Sequence, residues 1–119
     1  MQDNPQITVC GSSFSIYESD EKIPIFYDNE NIRAEMIFKC PLANPSVMFR
    51  REQVIKMTGG YNNFFKSAQD YDLWERLSHA LHVEFRNLKE NLIKYRTHPN
   101  RNKQEYVFNQ IKMAQKIRL

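Results

Sequence analysis

The period of the hydrophobic positions changes several times along this chain, and each change marks an element. Residues 7–17, ITVCGSSFSIY, set β-branched and aromatic residues in partial alternation and predict a strand, in which Gly11 marks either a bulge or a close backbone approach. The acidic ESDE that follows predicts a turn. In 29–39, NENIRAEMIFK, the residues Ile32, Met36 and Ile37 fall at helical spacing, with Asn29 or Asn31 available as cap and Pro41 just beyond, so a short helix ends before that proline. NPSVMFRR, 44–51, passes from a turn dipeptide into a short apolar strand. REQVIKM, 51–57, then carries Val54, Ile55 and Met57 through one or two helical turns, and Gly59-Gly60 stops it.

The strongest stripe comes next. Leu73, Trp74, Leu77, Ala80 and Leu81 recur at i, i+1, i+4, i+7 and i+8 and predict a helix over 68–81. Ser67 followed by Asp70 fits S-x-x-D, a capping-box-like entry with a carboxylate in the first turn. HVEFR, 82–86, and NLIKYR, 91–96, read as two short strands separated by a polar turn, and 102–118 as a terminal helix with Val107, Ile111, Ala114 and Arg118 on one stripe. The fold class is therefore α/β, a single domain over 1–119. Short mixed or antiparallel strands pack against helices, with Leu73, Trp74, Leu77 and Leu81 facing the sheet.

Composition narrows this picture in a few places. The 119 residues are the size of one domain, with 41% hydrophobic and 26% charged residues, so the chain is expected to fold. No apolar run nears the roughly 20 residues of a spanning helix, and MQDNPQ has neither a basic nor an apolar leader region, which predicts a cytoplasmic protein. Cys10 and Cys40 stand apart without CxxC spacing and read as reduced core thiols. The formal charge of +3 hides a gradient, since acids crowd residues 1–30 and Lys and Arg crowd 86–119. The basic end is either a solvated helix surface or a patch for phosphates or the inner face of an anionic membrane.

Three stretches carry chemistry when read in order: NPSVMFRREQVIKMTGGY, FFKSAQDYDLWERLSHA, and LKENLIKYRTHPN with its Y-R-x-H tail. A strand with an Arg, a GGY turn, an acid before Y-D-L-W-x-R-L, and Y-R-x-H in that sequence resemble the C-terminal, acceptor-side half of family 2 glycosyltransferases. Those enzymes are inverting and nucleotide-sugar-dependent, with the A-type fold. The resemblance covers roughly half the chain through these motifs, and more loosely the strand at 7–17. It implies hexosyltransferase-like chemistry in polysaccharide biosynthesis. The nucleotide-binding half that precedes these motifs in the family, with its metal-binding Asp-x-Asp, has no counterpart here. Asp70-Tyr71-Asp72 has that spacing but matches the acceptor-side helix instead.

The resemblance assigns roles residue by residue. Asp70 matches the catalytic base, which takes the acceptor hydroxyl's proton as that oxygen attacks the anomeric carbon opposite the leaving nucleoside diphosphate. The family's acidic pair is Gln69-Asp70 here, so only its second member is acidic. Read from the residues alone, Asp70 is equally a helix cap. Gly59, Gly60 and Tyr61 match an acceptor-binding turn and also fit a plain helix C-cap. Trp74 is assigned to the acceptor side by the resemblance and to the core by its place on the stripe. Arg96 and His98 match a tail that closes over the donor diphosphate, although His98 before Pro99 also fits a surface turn. His79 and His82, without a third ligand nearby, make no zinc site.

The complete enzyme is expected to use a divalent metal, Mg or Mn, to bind a nucleotide-sugar donor and to modify a hydroxyl acceptor. The isolated chain is expected to hold no metal and to be inactive. An alternative reading is a non-catalytic interaction module built on the basic C-terminal helix. Nucleic acid is not expected as a partner, since no DNA- or RNA-binding motif is present. A sheet cut from its other half leaves an open edge, which predicts a homo-oligomer joined through 7–17 or 44–50.

Overall fold

The computed structural model describes residues 1–65 and 68–96. Its centre is β1, Ile7–Ile16. Strand β4, Glu84–Tyr95, runs parallel along the whole of one edge of β1, from Ile7 opposite Glu84 to Ile16 opposite Tyr95. Two short antiparallel strands share the other edge: β3, Met48–Phe49, beside Val9 and Cys10, and β2, Lys22–Ile23, beside Phe14 and Ser15. Between them the Ser12 amide donates to Ser46 Oγ at 3.0 Å, so a side chain from the turn Asn44–Ser46 stands in for the missing ladder partner.

A strand with neighbours on both edges buries its polar groups too, and they need partners. Thr8 Oγ1 donates to Gln53 Oε1, Ser13 Oγ to the Leu88 carbonyl, and Ser15 Oγ accepts from Asn91 Nδ2. This arrangement overturns the expectation that 7–17 is an open edge available to a second copy. Gly11 marks a close approach and not a bulge, because a Cβ there would lie 2.4 Å from Asn87 Oδ1. The register against β4 shifts elsewhere, between Ile7 and Val9 and on either side of Ser13. Ser12 pairs with Leu88, Ser13 with Asn91 and Phe14 with Ile93, which leaves Lys89, Glu90 and Leu92 out of the ladder. The polar stretch expected to separate two strands is therefore a bulge within one, because β1 supplies a continuous template on both sides of it.

Helix α1, Asn29–Glu35, is capped by Asp28, whose Oδ1 accepts from the Asn31 amide at 3.1 Å. Neither Asn29 nor Asn31 is the cap. Asn29 Oδ1 accepts from the Phe85 amide at 2.9 Å and from Arg33 Nε, which pins the helix to β4. Helix α2, Arg51–Thr58, ends at Gly59 in the left-handed region, φ 79°. Helix α3, Gln69–Ser78, is entered through Ala68, also left-handed at φ 59°, with no side-chain cap; Ser67 of the expected capping box lies outside the described residues.

The core gathers Val9 and Phe85 of the sheet, Ile32 and Met36 of the α1 region, Val54 of α2, and Tyr71, Leu73, Trp74 and Leu77 of α3. Leu81 is not among them. It is 92% exposed, because α3 stops at Ser78. Arg33 fixes that stop: its guanidinium, packed 5.4 Å from the centre of the Phe85 ring, donates to the carbonyls of Ser78, Ala80 and Val83. Three acceptors turned toward one cation are a helix C-terminus that has stopped propagating. The expected terminal helix, 102–118, lies outside the described residues.

Candidate functional site

Helix α3 carries both acids of the candidate site in its first turn, Asp70 and Asp72, and the helix turn sends them in different directions. Asp70 is half-buried and faces the segment that follows α1. Burial lifts the Cys40 thiol from its ordinary 9.0 to about 12, and the charge of Asp70 adds to that lift. Next in the chain, the Tyr71 hydroxyl donates to the Met36 carbonyl at 2.5 Å, tying the start of α3 to the end of α1. Asp70 thus sits on the first turn of α3, partly open to solvent, and Ser67, its expected capping partner, lies outside the described residues.

Asp72 points the other way and is buried. It accepts two hydrogen bonds from Arg76, Nε at 3.0 Å and Nη2 at 2.8 Å. Arg76 continues outward: Nη1 donates to the Thr58 carbonyl and Nη2 to the Gly60 carbonyl, each at 2.8 Å. The glycine turn therefore is a helix cap and something more. The Gly59 amide closes α2 on the Ile55 carbonyl, while Gly60, φ 95°, holds its amide on Thr58 Oγ1 at 3.0 Å and its carbonyl on Arg76. Tyr61 leaves this turn 52% exposed. An Asn62 side chain accepting from the Phe64 amide and a buried Phe65 then return the chain to the core.

Sequence reasoning missed Asp72 and Arg76. Their i, i+4 spacing on the most regular helix was the available signal. It did not reveal that the pair would reach the carbonyls of a turn 16 and 18 residues earlier.

The remaining assigned residues scatter. Trp74 is fully buried and edge-on to Phe49, ring centres 5.5 Å apart, which places it with the core and gives a sugar no face to stack on. Arg96 lies at the end of β4 with its guanidinium 4.7 Å over the Tyr17 ring, beside the Tyr17 amide bonded to the Tyr95 carbonyl, and not at the glycine turn. His98 is outside the described residues. His79 Nε2 lies 2.7 Å from Glu75 Oε1. Among the described residues no three His, Cys, Asp or Glu side chains gather to hold a metal ion. No described helix is long and apolar enough to cross a membrane.

Over 74 residues the chain is 36% identical to the O-antigen biosynthesis glycosyltransferase WbnJ of Escherichia coli. The chain is related to a glycosyltransferase. The match takes in 60% of this chain and 28% of the relative, so this chain spans less than a third of that enzyme. No protein-family profile matches the chain, and no solved structure does. The name of that relative places it, and not yet this chain, in glycosyl transfer for O-antigen biosynthesis.

Proposed function

We propose that this chain is the acceptor-binding and catalytic-base half of an inverting, family 2 glycosyltransferase of the A-type fold. The observation that carries the reading is the placement of Asp70. A chain related to a glycosyltransferase holds this carboxylate, half-open to solvent, on the first turn of α3, which the Tyr71 hydroxyl ties to the Met36 carbonyl, with the exposed Tyr61 turn anchored to the same helix. In this role Asp70 accepts the proton of an acceptor hydroxyl while that oxygen attacks the anomeric carbon and the nucleoside diphosphate departs from the opposite face. Orientation supplies the rest, because a base on a packed helix needs no reorganisation at the moment of transfer. In this reading metal and donor diphosphate are held by another part of the enzyme, and the isolated chain is inactive.

A titration of the 119-residue chain followed by NMR tests the division of labour. Hydroxyl-bearing oligosaccharides of the O-antigen type are expected to shift the resonances of Gly60, Tyr61 and Asp70, and nucleoside diphosphate sugars to shift none. A nucleotide response, or an oligosaccharide response only at sites remote from α3, contradicts the assignment.

A further inference from the structure

Helix α3 holds the proposed base at its start and, two turns on, the group that grips the glycine turn. We infer that Arg76, oriented by Asp72, is a positioning residue that sets the acceptor-side turn Thr58–Tyr61 at a fixed place relative to Asp70. The inference rests on the acceptor-side reading above and adds the residue that makes the turn usable.

The geometry singles out Arg76. Its guanidinium spends four donated bonds on three partners: the two to Asp72 hold the fork in one orientation, and the other two take the turn carbonyls of Thr58 and Gly60. The Asp72 side chain is 6% exposed, so its negative charge is compensated from within, and Arg76 has little freedom to swing away. Gly59 and Gly60, both at positive φ, are the residues least able to hold a conformation by themselves. Among the described residues Gly60 is fixed by the Thr58 hydroxyl, itself bonded to the Val54 carbonyl, and by Arg76. The side chain that follows, Tyr61, is half-exposed and makes no contribution to the core. An acceptor meeting Tyr61 meets a surface whose position is dictated from α3, the helix that also carries Asp70. A lysine in place of Arg76 delivers a point charge without the planar fork and reaches one carbonyl at a time.

The test uses the whole 119-residue chain. Amide hydrogen exchange and oligosaccharide affinity are measured for wild type, Arg76→Ala, Arg76→Lys and Asp72→Asn. In Arg76→Ala the Gly60 and Tyr61 amides are expected to exchange at least about tenfold faster, the loss of one charge-assisted bond or more, while Leu73 and Leu77 keep their protection. Oligosaccharide affinity falls by a similar factor, and Arg76→Lys recovers part of both. Unchanged exchange at Gly60 and Tyr61 overturns the inference, and so does a uniform loss of protection along α3, which makes Arg76 a residue of the fold alone. If Arg76→Ala does not fold, Arg76→Lys decides: wild-type exchange and affinity in that variant overturn the inference. A wild-type chain that binds no oligosaccharide, with exchange still responding to Arg76, overturns the acceptor reading and leaves a turn clamp without a positioning role.

Discussion

Gly11→Ala is a small change with a large expected effect. The added Cβ lies 2.4 Å from Asn87 Oδ1 and 3.2 Å from Ser46 Oγ, both inside contact distance. Neither neighbour is free to retreat. Asn87 is 2% exposed and its Nδ2 donates to the carbonyls of Phe26 at 2.8 Å and Pro41 at 3.1 Å. Ser46 Oγ accepts from the Ser12 amide and donates to the Ala43 carbonyl at 2.7 Å. Overpacking alone costs about 1–3 kcal/mol. Turning Asn87 aside forfeits up to two hydrogen bonds at about 1 kcal/mol each, so the expected loss is about 3 kcal/mol, or roughly 10 °C in Tm for a domain of this size. Urea melts that share one m-value measure it. Because the larger part of the cost is the clash with Asn87, Gly11→Ala and Asn87→Ala are expected to be non-additive, the double variant being more stable than the sum of the singles by at least about 1 kcal/mol. A Tm shift under about 2 °C, or plain additivity, refutes the claim that Asn87 fills the space above Gly11.

Two further predictions follow from burial. Leu77→Ala, which opens the core under α3, is expected to cost about 2–5 kcal/mol; Leu81→Ser, at a residue 92% exposed, stays within about 0.5 kcal/mol, and chemical denaturation of both reports whether the helix ends where Arg33 stops it. Cys40 has its thiol pushed from 9.0 to about 12, so the folded state holds that proton more tightly than the unfolded state. Its contribution to stability is full below pH 9.0 and is lost as the pH rises toward about 12; the stability difference between wild type and Cys40→Ala measured across that window is expected to decline, and a flat difference contradicts the burial of the thiol.

How much of this was legible in the residues depended on whether the cause was local. The stripe of Leu73, Trp74 and Leu77 and the glycine stop after Thr58 are written in neighbouring residues, and both stand. Leu81 fits the same stripe but sits past a helix end imposed by Arg33, which is 45 residues away from the Ser78 carbonyl it takes. Asp28 displaced Asn29 as the cap because Asn29 is needed by the Phe85 amide, a partner no local pattern reveals. The single strand β4 reads as two because its bulge is polar and its template is β1, at the other end of the chain. A similar division holds at the candidate site, where Asp70 is proposed from a motif, whereas the Asp72–Arg76 grip on the glycine turn is a long-range contact that no local pattern reveals.

The central claim is that Asp70 is the base of a sugar transfer. Its most direct test replaces the matching 74 residues of the E. coli relative with those of this chain and measures transfer from a nucleotide sugar to an O-antigen acceptor, with and without Asp70→Asn. Transfer by the hybrid that falls by about 10²–10⁴-fold in Asp70→Asn, with the helical content and Tm of the hybrid unchanged, is the result the account predicts. Transfer that Asp70→Asn leaves undiminished contradicts it.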